Sequence, residues 1–220
     1  MYQPGSTYRL NERFRGYLPV VMDLEFSGLD ERKHALLEIG VVLLDINDKG
    51  ELCQVNSFQT HVVPFEGSLM DPKSLEINGI DPFHPLRAAR EEADALAYIF
   101  KPIKEAVSAA GCTRAIMVGH NASLDLRFLN AAANRCKNKK NPFHPFSCFD
   151  TVSLCGLAYG QTVLARASVA AGLEWDTNEE HSALYDARMT AELFCRVVNR
   201  WERLHDGLNA PIADGSTLPR

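Results

Sequence analysis

The sequence lacks the features of several common protein classes. No apolar run approaches the ~18 residues that a membrane-spanning helix needs, and residues 1–12 lack the basic-then-apolar pattern of a signal peptide. The six cysteines are scattered without a C-x-x-C pair, which argues against a zinc cluster and favours reduced, packed thiols. Disulfides would require export, which nothing else in the sequence suggests. We therefore expect a cytoplasmic protein with no membrane partner.

Signatures of nucleotide-binding folds and of serine hydrolases are also missing. The sequence has no Walker-type or dinucleotide-binding glycine pattern and no G-x-S-x-G elbow. It has no excess of basic residues either, because the net charge is −5, which by itself disfavours a nucleic-acid partner. That total is partly misleading, since carboxylates that bind metal are neutralised.

Basic residues are nevertheless concentrated in two short segments. These are Arg9, Arg13 and Arg15 near the start, and Arg135, Lys137, Lys139 and Lys140 further on. Each cluster is either a solvated face or a phosphate-binding surface, and the sequence alone leaves both interpretations open.

The chain has 220 residues with 46% apolar and 23% charged content, which is enough for one substantial α/β core. Hydrophobic patterns predict strands at 18–26, 36–45, 51–63 and 114–119. They predict helices at about 86–110, 121–134, 150–159, 162–171 and 182–203, with Pro102 expected to kink or divide the first. Residues 64–85 are expected to form loops. We expect a single domain over 1–220, with a core of about 15–205 and a loose tail at 206–220.

The most informative feature is a pair of acidic residues within the first strand, Asp23 and Glu25. Because side chains alternate along a strand, both carboxylates point to the same face. Two like charges on a core strand repel each other unless a cation lies between them. Taken alone, the pair could also mark an exposed strand end with solvated charges.

Three residues further along the chain complete a catalytic pattern. Asp125 opens a predicted helix, His181 precedes the last helix, and Asp186 lies within that helix. Carboxylates from several segments suit Mg²⁺, and two such ions can hydrolyse a phosphodiester. A lone histidine is more often structural, but the five-residue offset from His181 to Asp186 favours a general base. The five residues are therefore candidates for both the metal site and catalysis.

These motifs resemble those of the DEDDh 3′→5′ exonucleases and, within that superfamily, the ribonuclease T family. The resemblance extends from Arg13 to Trp201, and its most specific stretches are 78–82, 114–122, 141–146 and 181–186. It implies a ribonuclease H-like α/β fold with a five-stranded mixed sheet flanked by helices. It also implies an exonuclease that trims short 3′ tails of tRNA and other structured RNAs. Such an enzyme would act in tRNA end turnover and in the maturation of stable RNAs, and it could also attack DNA 3′ ends.

The resemblance further implies two Mg²⁺ ions in each active site. Asp23, Glu25 and Asp186 would bind them directly and Asp125 directly or through water, with His181 as general base. It implies a homodimer in which basic residues of one subunit hold the RNA stem while the other subunit cuts. The matching basic positions are Arg13, Arg15, Arg114, Lys139 and Lys140.

The pocket for the RNA 3′ end departs from the family pattern. Phenylalanines line it in the family and stack on the terminal bases, and trimming slows at terminal cytosines. The matching positions here are Leu29, Ile77, Leu124 and Phe146. Lys73 replaces an acidic residue, and Phe26 replaces a small hydroxylated one and offers a substitute ring. Because stacking is worth ~1–3 kcal/mol per base, we expect an altered base preference.

Three other functions compete with this interpretation. The segment 23–30, Asp-Leu-Glu-Phe-Ser-Gly-Leu-Asp, also resembles oligoribonucleases, which degrade very short RNAs. A catalytically silent RNA-binding module is a second alternative, although such relatives would be expected to have lost a metal ligand or the base. A DNA proofreading or repair subunit is the third, and the chain length and the 141–146 motif disfavour it.

Overall fold

A five-stranded sheet forms the centre of the computed structural model, which describes residues 10–209 and, among these, the side chains of 10–204. The strand order is β3-β2-β1-β4-β5. The strands are β1 (Tyr17–Phe26), β2 (Leu36–Ile46), β3 (Leu52–His61), β4 (Arg114–Gly119) and β5 (Phe143–Asp150). The first three form an antiparallel meander, β4 pairs in parallel with β1, and β5 pairs in parallel with β4. The predicted five-stranded mixed sheet is confirmed.

Within residues 10–209, six α-helices surround the sheet, and two 3₁₀ turns, Leu10–Glu12 and Phe14–Gly16, precede it. The helices are α1 (Pro72–Asn78), α2 (Glu92–Ala109), α3 (Ala122–Arg135), α4 (Thr151–Tyr159), α5 (Leu164–Ala170) and α6 (Ala183–Asn209). The α6 helix packs along β1, β2 and β3. Because helices cover the central strands, β1 and β2 are almost continuously apolar and buried.

The helix predicted from residue 86 begins later, at Glu92. Residues 82–89 form turns instead, and Arg87 fixes them by donating hydrogen bonds to the carbonyl oxygens of Val62 (3.2 Å) and Pro82 (3.3 Å). Pro102 lies inside α2 without dividing it. The buried face of the helix, which includes Ile99 and Ile103, holds the helix in place on both sides of the proline.

Two elements were not predicted as such, α1 within the expected loop region and β5 around the 141–146 motif. The predicted α3 helix begins with an unusual N-cap. Asn121 is the N-cap residue, but it adopts a left-handed conformation (φ 71°) and its side chain makes no capping bond. Its backbone N–H donates instead to Asp150 (3.2 Å).

The end of the chain also differs from expectation. The tail expected at 206–220 is helical as far as Asn209, and residues 210–220, like residues 1–9, lie outside the described part. Within the described residues, no helix combines the length and the apolar character needed to cross a membrane.

Candidate active site

The first part of the site is built by neighbouring residues on β1 and β2. Asp23 is the register partner of Gly40, and Glu25 is the register partner of Glu38. Glu38 interrupts the apolar run of β2 and is only 6% exposed. It was not singled out from the sequence, although a glutamate inside a strand with buried neighbours is the signal that could have identified it.

The start of α6 brings the second part of the site to β1. Ligand atoms of Glu25, His181 and Asp186 lie within 4.8 Å of one another. His181 adopts a left-handed conformation (φ 66°) just before the helix, and its side chain is 43% exposed. Such a conformation is unfavourable for a non-glycine residue and is found disproportionately at functional sites.

Asp125 joins the cluster from the first turn of α3, where it is buried. Its Oδ1 accepts a hydrogen bond of 3.1 Å from the backbone N–H of Leu24, the residue between Asp23 and Glu25. This contact fixes α3 to the middle of the acidic segment of β1. The structure therefore brings together all five residues that the sequence pattern predicted.

Burial and mutual repulsion dominate the electrostatics of the cluster. Burial raises the pKa of Asp23 well above its ordinary value, and neighbouring charges raise it further. These neighbours are Asp125, Glu25, Asp186 and Glu38. Burial likewise raises the pKa of Glu25 to about 8, with added effects of Asp186 and Glu38. The carboxylates thus lack the compensating positive charge that would keep them ionised.

The pKa values of the other two carboxyl groups point in the same direction. Burial raises the pKa of Asp125 to about 8, against the lowering effect of hydrogen bonds from backbone N–H groups, including that of Leu24. Burial raises the pKa of Asp186 to about 6, and the nearby His181 acts in the opposite direction.

The donor set fits hard divalent cations. Asp186 Oδ1 is buried and has no hydrogen-bond partner among the described residues. No described lysine or arginine forms an ion pair with Asp23, Glu25, Asp125 or Asp186. Converging carboxylate oxygens without a cationic partner are the ligands that Mg²⁺ prefers. The residues therefore fit a metal site.

Asn78 is a further residue at this end of the sheet. Its amide donates to the carbonyl oxygen of Phe26 (3.0 Å), and a hydrogen bond from the same side chain lowers the pKa of Glu25. Asn78 thus connects α1 to the acidic end of β1. The sequence marked this position only as the start of the 78–82 stretch.

His120 has a structural environment. Its Nδ1 lies 3.0 Å from Thr151 Oγ1, and its Nε2 lies 2.9 Å from the carbonyl oxygen of Thr162. Both ring nitrogens are therefore occupied, and the side chain ties the end of β4 to the start of α4 and to the segment before α5.

The predicted pocket residues are mostly exposed. Leu29, Ile77 and Phe146 are more than half exposed, whereas Leu124 is half-buried and packs against the core. Lys73 is exposed on α1. The Phe26 ring stacks on the buried Phe128 with centroids 3.9 Å apart. The Phe146 ring packs edge-on against His144 at 4.5 Å.

The predicted basic residues lie away from the carboxylates of the same chain. Arg114 is the register partner of Tyr17, at the start of β1, and Arg15 lies 5.2 Å from the Tyr17 ring. Six residues at ~3.3 Å each place this end of β1 about 20 Å from Asp23. Lys139 and Lys140 are exposed in the segment after α3. One chain therefore does not combine both groups in a single site.

Two arginines of the basic segments are engaged in ion pairs. Arg13 pairs with Glu202 of α6. Arg135 is the last residue of α3 and donates two hydrogen bonds to Glu92 of α2, with distances of 2.6 and 3.0 Å. Arg135 therefore joins α3 to α2 instead of extending the basic loop.

Similarity to known sequences covers nearly the whole chain. The profile of the RNase T family, described as an exonuclease, matches residues 20–194. A protein of Vibrio campbellii named ribonuclease T is 55% identical over 196 residues, which cover 89% of this chain and 92% of that protein. A ribonuclease T of Vibrio vulnificus is 55% identical over 201 residues, which cover 91% of this chain and 93% of that protein.

Solved structures share the architecture. Escherichia coli exonuclease I in complex with a dT13 oligonucleotide aligns with a TM-score of 0.66 and 18% identity, and the alignment covers 87% of this chain and 43% of exonuclease I. This chain therefore spans less than half the length of that protein. The nuclease domain of 3′hExo, a DEDDh family member bound to rAMP, aligns with a TM-score of 0.63, 19% identity and coverage of 83% and 92%. These likenesses confirm the predicted ribonuclease H-like fold.

Proposed function

Because the chain belongs to the ribonuclease T family and is a 3′→5′ exoribonuclease, we propose that it trims short 3′ tails of tRNA and other structured RNAs. This activity would serve tRNA end turnover and the maturation of stable RNAs in the cytoplasm. The observation that carries the proposal is the convergence of Glu25, His181 and Asp186 within 4.8 Å. Asp23 and Asp125 adjoin this group, since their charges interact with it.

The carboxylates would hold two Mg²⁺ ions, in a family of enzymes that uses divalent metals. Asp23, Glu25 and Asp186 would be the direct ligands, and Asp125 would bind directly or through water. When bound, the pair of ions supplies an activated water and charge stabilisation for the departing oxygen. The chain's own contribution is to hold oxygen ligands from β1, α3 and α6 at one end of the sheet.

His181 would act as the general base. Its partly exposed imidazole lies at the edge of the carboxylate group, where it can take a proton from the attacking water. Asp186, in the first turn of α6, brings a carboxylate from the same end of the helix to this point. Leu29, Ile77 and Phe146, whose side chains are exposed, would contact the terminal bases of the RNA, together with Leu124, Lys73 and Phe26.

The active unit would be a homodimer of single-domain subunits. Arg15 and Arg114 lie about 20 Å along the sheet from Asp23, so one subunit cannot hold the terminal nucleotide and use these residues on it. We assign them, with Arg13, Lys139 and Lys140, to the RNA stem whose tail enters the partner's site. Neutralising backbone phosphates in this way makes binding depend on salt. DNA 3′ ends would be further substrates.

Digestion of a 3′-tailed stem-loop RNA and a matched DNA, in Mg²⁺ or in EDTA, tests the proposal. We expect Mg²⁺-dependent removal of 3′ nucleotides that stops near the stem. A length series down to dinucleotides separates this function from an oligoribonuclease-like activity, which would favour the shortest RNAs. Binding without hydrolysis would instead indicate a silent RNA-binding module.

Subunit mixing tests the action in trans. A His181→Ala subunit is combined with a subunit that lacks the Arg13, Arg15 and Arg114 side chains. One of the two sites in the mixed dimer then has both an intact base and intact basic residues, so activity should be partly restored. Absence of rescue, when heterodimers demonstrably form, would contradict the arrangement.

A further inference from the structure

A row of three ionisable side chains extends from the candidate active site across the sheet. Glu25 on β1 is the register partner of Glu38 on β2, and Glu38 is the register partner of His61 on β3. Register partners in adjacent strands project from the same face, with Cβ atoms roughly 4.5–5.5 Å apart. The carboxylate of Glu38 is therefore directly beside that of Glu25, on the face where α6 begins.

Glu38 is buried and only partly compensated. Its side chain is 8% exposed, and its Oε2 lies 3.7 Å from His61 Nδ1, which is itself buried and lacks a hydrogen-bond partner. Arg87 is close enough for its charge to oppose the rise that burial causes in the pKa of Glu38. The guanidinium of Arg87, however, donates to the carbonyl oxygens of Leu37, Val62 and Pro82. In the described part of the chain, Glu38 forms no ion pair with a lysine or arginine.

A buried carboxylate at this position needs a compensating charge. Burial would favour an apolar residue, since the strand neighbours Leu37 and Ile39 are fully buried. A cation bound by Glu25 would supply the missing positive charge to both glutamates. Glu38 does not belong to the group of ligand atoms that converge within 4.8 Å, which comprises Glu25, His181 and Asp186. It would therefore act on the cation through Glu25 and not as a ligand.

We propose that Glu38 is a positioning residue whose charge, beside Glu25, sets the affinity of the active site for divalent cations. The inference rests on the proposed metal site and adds to it a residue outside the five-residue pattern. Outer partners of metal ligands commonly change metal affinity by 10–100-fold when they are substituted. The imidazole of His61, 3.7 Å away, and the nearby charge of Arg87 partly compensate the Glu38 carboxylate and limit its effect.

The experiment compares Glu38→Gln, Glu38→Asp and wild type in a titration with Mn²⁺, in which free Mn²⁺ is measured by electron paramagnetic resonance. Glu38→Gln keeps the size and removes the charge, so the half-saturating Mn²⁺ concentration should rise roughly 10-fold. Glu38→Asp keeps the charge and should recover most of the affinity. Asp45→Asn is the matched control, because it removes one charge at the exposed far end of the same strand.

A second readout separates this role from a structural one. Without metal, Glu38→Gln should melt no lower than wild type, because it relieves the repulsion between Glu25 and Glu38. A purely structural Glu38 would instead lower the metal-free melting temperature and leave the Mn²⁺ titration unchanged, which would overturn the inference. If wild type binds Mn²⁺ and Glu38→Gln binds it equally well, only the inference fails. If wild type binds no Mn²⁺, the proposed metal site fails as well.

Discussion

Gly40 on β2 lies so close to Ala183 that a Cβ atom on the glycine would be 2.2 Å from the Ala183 carbonyl oxygen. Ala183 is the first residue of α6, and Gly40 is the register partner of Asp23. The bare backbone of Gly40 therefore allows the start of α6 to approach the sheet beside the acidic segment of β1. This approach brings His181 and Asp186 within reach of Glu25.

A Gly40→Val substitution should separate the two halves of the site. Overpacking of this kind typically costs about 1–3 kcal/mol, and a displacement of ~1 Å can lower the rate about 100-fold. We expect a lower melting temperature. We also expect the rate of RNA hydrolysis to fall by more than the decrease in the folded fraction accounts for. Gly156→Ala is the control, since its Cβ would make only an ordinary contact of 3.5 Å with Thr162. A Gly40→Val enzyme with wild-type rate would contradict this account.

Substitutions of the carboxylates and of His181 should have different effects. Asp23→Asn and Asp186→Asn should abolish hydrolysis with the fold intact, because each removes a proposed metal ligand. His181→Ala should lower the rate by roughly 10²–10⁴, the usual contribution of a general base, yet retain metal and RNA binding. Single-turnover digestion and Mn²⁺ titration distinguish the two classes. Cleavage by Asp23→Asn at the wild-type rate in Mg²⁺ would refute the assignment.

The stability of the metal-free protein should depend on pH through the buried carboxylates. The pKa of Glu25 rises from 4.5 to about 8 on folding, so the folded state holds its proton more tightly than the unfolded chain. The stability contributed by this group is complete below pH 4.5 and is lost as the pH rises toward 8. Since Mg²⁺ binds the ionised carboxylates, the Mg²⁺-induced rise in melting temperature should be larger at pH 8 than at pH 6.

Thermal melts in EDTA and in Mg²⁺ at the two pH values check this expectation. In Glu25→Gln, which lacks the titrating group, the metal-free melting temperature should fall less between pH 6 and pH 8. Metal-free stability that increases over this interval would show that other groups dominate.

Arg135 should be important for stability and not for catalysis. Its two hydrogen bonds hold Glu92, which is only 8% exposed. Removal of one partner from such a pair leaves a buried charge and typically lowers the free energy of unfolding by about 3–5 kcal/mol. Because Arg135 is partly exposed, we expect the loss in Arg135→Ala to lie near the lower end of this range. On the same helix, Arg127 forms a 3.6 Å ion pair with Glu31 and is well exposed. Arg127→Ala should therefore cost less than about 1 kcal/mol, as urea unfolding of both variants can test.

The sequence predicted β1, β2 and β4 because their long apolar runs follow from burial on both faces. It did not predict α1, none of whose residues is buried, so that no hydrophobic periodicity exists to detect it. Asp71 and Pro72 were nevertheless a capping signal, because the Asp71 side chain accepts a bond from the Lys73 N–H. β5 escaped detection because Pro145 interrupts it, which an edge strand tolerates.

In the site, spacing indicated which residues converge but not what surrounds them. Asp23 and Glu25 were predictable as a pair because strand periodicity is local. Glu38 and Asn78 join them only through strand register and a contact from α1. The pairing of Arg135 with Glu92 spans 43 positions and was likewise invisible, so Arg135 was grouped with a basic loop.

The pocket substitutions should weaken discrimination between terminal bases. Leu29 and Ile77 are exposed apolar side chains that can contact a base, but they lack the flat ring face that gives stacking its energy. Trimming rates on tails that end in A, C, G or U should therefore be more even than in family members with a full set of phenylalanines. Pronounced stalling at cytosine would contradict this and would direct attention to Phe26, whose ring also stacks on Phe128.

Restoration of the rings provides the complementary test. Phenylalanine at positions 29, 77 and 124 together should sharpen base preference and tighten single-strand binding, provided that the half-buried position of Leu124 admits the larger ring. Among single changes, Phe146→Ala should be the most damaging, because it removes an exposed aromatic ring, which packs edge-on against His144. At ~1–3 kcal/mol per stacked base, it should weaken binding of the tail by roughly 5- to 150-fold. Leu29→Ala is the matched comparison, and an equal loss in both variants would show that Phe146 contributes apolar contact instead of stacking.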